Sequence, residues 1–375
     1  MTIQLTQDQK DFQEAIRAFV DKEIIPVARD MEHSGEYPTA IVEHMKEMGL
    51  FGMTIPEEFG GLGVDMTTFS IVFEELSRGW MGVAGILGSH SMACFVIAKH
   101  GTPEQKAKYL PDLATGARRS GLGLTEPGAG TDLQGIATTA TLDGDHYIVR
   151  GSKTWITNAR HADPLPVLVK TDPKADPRHK GMSVLLIDAG TPGFTIGKDI
   201  PKMGYKGPES CEVILDEVRV PVEQLLGGVE GRGMQQVLSA LETGRLNIAA
   251  RAYEEAVKYA KSRMAFGKSI SEFQAIQLKI ADMATDLQAA RLLTYWAASE
   301  ADQGKRVDLQ TAQAKVFASE VAIQNSLRAM QVHGGYGYST EYEIERLYRD
   351  APLMSIGEGT NDIMRMVIAK QIFAD

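Results

Sequence analysis

The chain has 375 residues, 43% of them hydrophobic and 23% charged, which suits a globular protein of two or three domains and leaves no stretch that reads as disordered. A net charge of -10 and a pI near 5.4 argue against a surface built to neutralise nucleic-acid phosphates. Cys94 and Cys211 are too few and too far apart for a disulfide framework or a zinc ligand set, so no metal is expected and both read as small buried residues. No run of about 18 apolar residues stands out, so no membrane-spanning helix is expected. Residues 1–10 lack an Arg-rich or apolar leader, which makes a bacterial-type cytoplasmic location the expectation.

In chain order, the first 120 residues read as a helical domain. Thr6 with Gln9 forms a capping-box pattern, and Phe12, Ile16, Phe19 and Val20 share a helical face until Pro26 interrupts. Ile41, Met45 and Met48 repeat at helical spacing and Gly49 sits where a C-terminal cap belongs. Beyond the glycine-rich connection Pro56 to Gly63, Phe69 to Arg78 and Ser91 to His100 read as helices, and Thr102, Pro103 and Gln105 form another helix start.

Residues 121–228 change character. Runs at Tyr147 to Val149, Val167 to Val169, Ser183 to Ile187 and Glu212 to Leu215 are separated by turns such as Asp143-Gly144 and Pro192-Gly193, which predicts a β-barrel or sandwich domain. No glycine-rich dinucleotide fingerprint follows a strand, which argues against a nicotinamide-binding fold. Residues 229–375 return to helix, with Ile276, Ile280, Met283 and Leu287 forming a bundle-type seam that Ile323, Leu327 and Met330 continue. The fold class is therefore α+β, mostly α, ending in a four-helix bundle. Near the end, Glu358 stands between Gly357 and Gly359, followed by Thr360 and Asn361 as helix-capping residues and by an apolar run. That is a loop entering a final helix, with a carboxylate that could meet a proton donor at short range. A surface Glu in a helix-entry turn is the alternative.

Five strings in fixed order decide between these readings. Leu124 to Asp132, Lys153 to Asn158, Arg263 to Lys268, Gln331 to Gly337 and Glu358 to Thr360 together resemble the successive signatures of the acyl-CoA dehydrogenase family over essentially the whole chain. The resemblance implies an FAD enzyme that converts an acyl-CoA thioester to its trans-2-enoyl-CoA, with Glu358 taking the α-proton while the β-hydrogen leaves as hydride to the flavin. Removing so weakly acidic a proton requires hydrogen bonds to the thioester oxygen. The family draws these from a flavin ribityl hydroxyl and the backbone N-H of the catalytic glutamate. Carried over by position, Leu122, Leu124, Thr125, Gly130, Thr131, Trp155, Ile156 and Thr157 would meet the flavin, with Thr157 near its reactive nitrogen and Thr131 also approaching substrate. Arg263 would bind the FAD pyrophosphate with Phe266 nearby, and Gln274, Gln331, Gly334, Gly335, Thr360 and Asp362 would complete the cofactor site. The resemblance places the segment of Gln331, Gly334 and Gly335 against the FAD of a neighbouring subunit, which implies an oligomer, usually a tetramer.

Glu242, Arg245 and Gly359 would border the acyl-CoA. Some relatives carry the catalytic carboxylate at the position of Gly244, so Glu358 has no rival here. His333, with no partner visible in the sequence, reads as structural. Gly357 stands where many relatives have a bulky aromatic, which raises the expectation of a wide or branched acyl group, and Asp362 is shorter than the residue relatives often carry. The segment Arg78 to Gly82 offers no evident arginine for a distal substrate carboxylate. By resemblance the electron acceptor would be an electron transfer flavoprotein. Acyl-CoA oxidase, nitroalkane oxidase and a DNA-associated relative of the same fold remain the alternatives.

Overall fold

A computed structural model describes residues 5–239 and 248–374. The N-terminal helices are α1 (Gln7–Phe19), α2 (Ile25–Ser34), α3 (Thr39–Glu47), α4 (Met66–Gly79), α5 (Met81–His100) and α6 (Pro103–Thr115). Both capping boxes form: the Thr6 hydroxyl accepts from Gln9 N, and the Thr102 hydroxyl from Gln105 N. Pro26 does not end the first helix as expected. A π-helical turn, Val20–Ile24, carries the chain from α1 into α2, and the wider turn absorbs the proline's missing N-H and its clash with the preceding turn.

Helix α5 begins ten residues earlier than the predicted Ser91. Gly82, Gly85 and Gly88 look like helix breakers in sequence, but each is filled from outside: a Cβ would lie 2.7 Å from Lys206 O at Gly82, 1.6 Å from the Tyr205 hydroxyl at Gly85 and 3.0 Å from the Phe73 ring at Gly88. Helix α5 is long and apolar enough to span a membrane, yet 72% of its most apolar stretch is buried inside the protein. It is the central core helix, with Val83, Ala84, Ile86 and Leu87 packing on the N-terminal helices and Met92, Cys94, Val96 and Ile97 on the sheet. Cys94 and Cys211 are free and buried, as expected.

The middle of the chain forms β1 (Thr139–Asp143), β2 (His146–Thr157), β3 (Leu165–Lys170), β4 (Met182–Ile187), β5 (Phe194–Asp199) and β6 (Ser210–Pro221), ordered β4-β3-β1-β2-β6-β5. All pairs are antiparallel except a short parallel contact of Thr139 with Lys170. Strands β1 and β5 went unread because their outer faces are polar. Val167, Val169, Leu185 and Ile187 share one core with Val149, Val213, Leu215 and Val218, so the two ends of the sheet curl over a common interior.

Helices α7 (Gly233–Leu238) and α8 (Ile248–Ser262) follow, then a small hairpin of β7 (Met264–Ala265) and β8 (Lys268–Ser269), and then α9 (Gln274–Asp302) and α10 (Asp308–His333). Three short to medium helices close the chain: α11 (Ile344–Asp350), α12 (Leu353–Ile356) and α13 (Asn361–Ile372). Helices α8, α9, α10 and α13 pack together as the bundle, and Asn325 of α10 donates to Met283 O of α9 at 3.1 Å. Buried Glu74 of α4 docks the bundle onto the N-terminal helices by accepting from Arg291 Nε and Tyr295 OH, both at 2.7 Å.

Candidate active site

The end of β2 is shaped by a buried ion pair. Lys153 Nζ donates to Glu126 Oε1 at 2.7 Å and Leu124 O at 3.2 Å, while Glu126 also accepts from Ala137 N at 2.5 Å and Thr138 N at 3.1 Å. Burial pushes the Lys153 ammonium down to about 8; burial would raise Glu126, but the Lys153 bond and charge outweigh it and hold the carboxylate below its usual range. The pair thus ties the turn after Leu124 to the strand, and Thr154 N donates to Thr125 O at 2.8 Å beside it.

Register slips between Lys153 and Ile156, and Trp155 takes a left-handed φ of 62°. A bulge re-aims the side chain. Trp155 is left 54% exposed while Lys153 and Ile156 point into the core. Asn158, also left-handed, donates to Ile86 O at 2.8 Å and Ser120 O at 3.2 Å, anchoring this strand end to α5. Leu122, Leu124 and Thr125 therefore run alongside Trp155, Ile156 and Thr157. Gly130 and Thr131 lie on the exposed turn, where a Cβ at Gly128 or Gly130 would meet nothing within 4 Å.

Glu358 sits on the expected loop between α12 and α13. Thr360 caps α13 by accepting from Ile363 N at 3.3 Å. Glu358 and Gly359 are both left-handed, at φ 51° and 91°. Buried Lys315 of α10 reaches across to this loop, donating to Asn361 Oδ1 at 2.6 Å, Gly359 O at 2.8 Å and Ser355 O at 3.5 Å. Glu358 is exposed, not enclosed by protein. Its charge nevertheless acts on Tyr205, whose hydroxyl is pushed up by burial first and by Glu358 next.

A second cluster forms at the ends of α8 and α10. The exposed Arg263 guanidinium lies 5.6 Å from the centre of the Tyr336 ring, in a cleft of about 610 Å³ that Arg251, Tyr259 and His333 also line. Phe266, at φ 53°, is 96% exposed. Gln274 opens α9, Gln331 lies in the last turn of α10 and Gly334 and Gly335 follow it, all four exposed. His333 donates from Nδ1 to Ala329 O at 2.8 Å and stacks on Tyr259, and burial lowers its pKa, a structural pattern. Asp362 points outward, with Arg365 3.8 Å away.

Sequence profiles of the acyl-CoA dehydrogenase N-terminal, middle and C-terminal domains match residues 6–117, 121–218 and 231–373. The chain belongs to the acyl-CoA dehydrogenase family. It is 38% identical to the short-chain specific acyl-CoA dehydrogenase of Clostridium acetobutylicum, with all of both chains covered. It is 40% identical to the caffeyl-CoA reductase-Etf complex subunit CarC of Acetobacterium woodii, over 97% of this chain and 98% of the relative. The solved structure of butyryl-CoA dehydrogenase from Megasphaera elsdenii superposes with a TM-score of 0.95 at 37% identity, covering all of both chains.

As a member of that family the protein is an FAD-dependent flavoprotein, an oxidoreductase that acts on the CH-CH group of acyl-CoA thioesters. The residues present fit FAD: the outward Trp155 ring offers an exposed aromatic face near the open turn of Gly128 and Gly130, and Arg263 offers a solvent-facing fork for a pyrophosphate. Glu242, Gly244 and Arg245 lie outside the described residues. A Cβ at Gly357 would meet Leu353 O at 3.3 Å and Leu353 Cδ1 at 3.5 Å, so this glycine packs against the helix that precedes the loop. Lys315, Asn158, Glu126 and Tyr205 were not singled out in the sequence. Only Glu126 and Asn158 carried a signal, as polar members of the quoted strings.

Proposed function

We propose that the enzyme oxidises the Cα-Cβ bond of a short acyl-CoA, with Glu358 as the base that removes the α-proton. Bound FAD supplies the acceptor for the β-hydrogen, which leaves as hydride. For the chain's own part, Leu122, Leu124, Thr125, Gly130 and Thr131 line the turn and Trp155, Ile156 and Thr157 the strand end that face the flavin. Arg263, Phe266, Gln274, Gln331, Gly334 and Gly335 form the surface that meets the FAD of a neighbouring subunit, with Thr360 and Asp362 near the loop. Thr131 and Gly359 border the thioester. Lys315 holds the loop so that the carboxylate stays aimed while the proton moves onto it.

The observation that supports this reading is the Glu358 loop itself, an exposed carboxylate on left-handed backbone that buried Lys315 holds through Gly359 O and Asn361 Oδ1. Electron transfer flavoprotein is the proposed acceptor, supported by the Etf-complex relative. A homotetramer in the cytoplasm, with domain limits near residues 120 and 228, completes the reading. The test is anaerobic addition of an acyl-CoA panel to the purified flavoprotein, which should bleach the flavin absorbance. Glu358→Gln is expected to keep FAD and ligand binding and to lose turnover by several orders of magnitude; near-normal bleaching by that variant would overturn the assignment. Rapid peroxide formation without an added acceptor would point to an oxidase instead.

A further inference from the structure

Residues 122–131 and 155–157 come from separate parts of the chain, and one buried ion pair stands where they cross. Lys153 Nζ donates to Glu126 Oε1 at 2.7 Å and to Leu124 O at 3.2 Å, while the next residue, Thr154, donates from N to Thr125 O at 2.8 Å. Two consecutive strand residues thus grip two consecutive turn carbonyls. The Glu126 carboxylate also accepts from Ala137 N and Thr138 N, at 2.5 and 3.1 Å, which closes the loop that carries Gly130 and Thr131.

Just beyond Lys153 the strand leaves its regular alternation. On an unbroken strand, residues 153 and 155 share a face. Here one extra residue enters between Lys153 and Ile156, Trp155 takes φ 62°, and Lys153 and Ile156 are buried while Trp155 turns out. Left-handed backbone is disfavoured for a residue with a Cβ, so the bulge needs support from outside its own strand. The bonds from Lys153 and Thr154 to Leu124 and Thr125 give that support. A buried ion pair adds little net stability over apolar residues of the same volume. What an apolar pair cannot reproduce is this set of directed bonds.

We propose that Lys153 and Glu126 are positioning residues for the flavin: they hold the Trp155 bulge and the 122–131 turn in the arrangement that presents both to the ring. They act through Thr125, Thr131, Trp155 and Thr157. The inference rests on the reading above, in which those residues face the flavin.

The test uses the double variant Lys153→Met with Glu126→Gln, in which no charge is left buried, so the fold is kept while the grip on Leu124 O is lost. Two quantities are measured: the Kd of FAD, from dilution of the holoenzyme followed by free-flavin fluorescence, and the rate of anaerobic flavin reduction at saturating butyryl-CoA. The Kd is expected to rise about tenfold or more, because apparent affinity falls with the fraction of molecules in the competent arrangement. Reduction should slow on the order of 100-fold, the scale of a misplacement of about 1 Å. A control, Arg291→Met with Glu74→Gln, removes an ion pair between α4 and α9 and should leave both quantities within about threefold of the wild type. Values within about threefold in the Lys153 variant, or equal losses in the control, overturn the proposal. If the Lys153 variant does not fold, Glu126→Gln alone carries the test. Its amide nitrogen cannot accept from the donors that surround the carboxylate, so at least one bond is released, and unchanged values there overturn the proposal as well. Failure of every acyl-CoA to bleach wild-type flavin would instead overturn the dehydrogenase reading, and the FAD Kd would still decide the role of the pair.

Discussion

Replacing Lys315 with methionine tests whether the Glu358 loop is held from α10. The variant keeps an apolar stem of similar length and removes the ammonium that reaches Gly359 O at 2.8 Å, Asn361 Oδ1 at 2.6 Å and Ser355 O at 3.5 Å. Asn361 keeps a partner in the Ser319 hydroxyl, at 3.1 and 2.9 Å, so the Gly359 carbonyl suffers most. An acceptor left without its charged donor costs roughly 1–3 kcal/mol. Glu358 at φ 51° carries a further strain of roughly 1–2 kcal/mol that the clamp no longer offsets. A shift of about 2–5 kcal/mol away from the aimed loop leaves roughly one molecule in 30 to one in several thousand competent, and kcat at saturating acyl-CoA should fall by that factor. FAD content is expected to hold, because Trp155, Thr157 and Arg263 stand on other elements. A kcat within about threefold of the wild type, with FAD retained, would refute the clamp.

Two further outcomes follow from buried charge. Lys153→Met leaves Glu126 buried without its cation, and an uncompensated buried charge costs roughly 3–5 kcal/mol, so chemical denaturation should show a large loss that the double variant Lys153→Met with Glu126→Gln largely restores. Equal losses in single and double variants would refute the pairing. His90 is fully buried, donating from Nε2 to Phe51 O and accepting from Ser120 N, and burial pushes it down to about 4. The unfolded chain takes up this proton near pH 6.5 and the folded one does not, so the stability contribution is complete above pH 6.5 and is lost as pH falls toward 4, by roughly 3 kcal/mol. His161, also pushed down to about 4 by burial, adds to the same limb, discounted for its partial exposure. Unfolding midpoints measured across that window should be flatter for His90→Gln; an unchanged slope would refute the assignment.

What could be read in the sequence, and what could not, divides along the reach of the contacts. Both capping boxes, the Thr360 cap, the turn after α10 and the bulk of β2 depend on residues within a few positions of one another, which is the span that propensity and periodicity report. Glu358, Trp155 and Arg263 were legible because they occur in strings distinctive enough to be compared as strings. Their supports were not. Lys153 meets Glu126 across 27 positions, Lys315 meets Gly359 across 44 and Tyr205 meets Asp350 across 145. None of these spacings has a period, so each residue looked like an ordinary Lys, Tyr or Asp. Gly82, Gly85 and Gly88 show the same effect from the other side. Local reasoning counts them as helix breakers, and they are in fact the vacancies into which the loop of Tyr205 and the ring of Phe73 fit. A helix that tolerates several glycines must recover the lost propensity from whatever fills them. An interior glycine in an otherwise apolar helix is therefore better read as a request for a partner than as a stop signal, and here the partners are the Lys206 carbonyl, the Tyr205 phenol and the Phe73 ring.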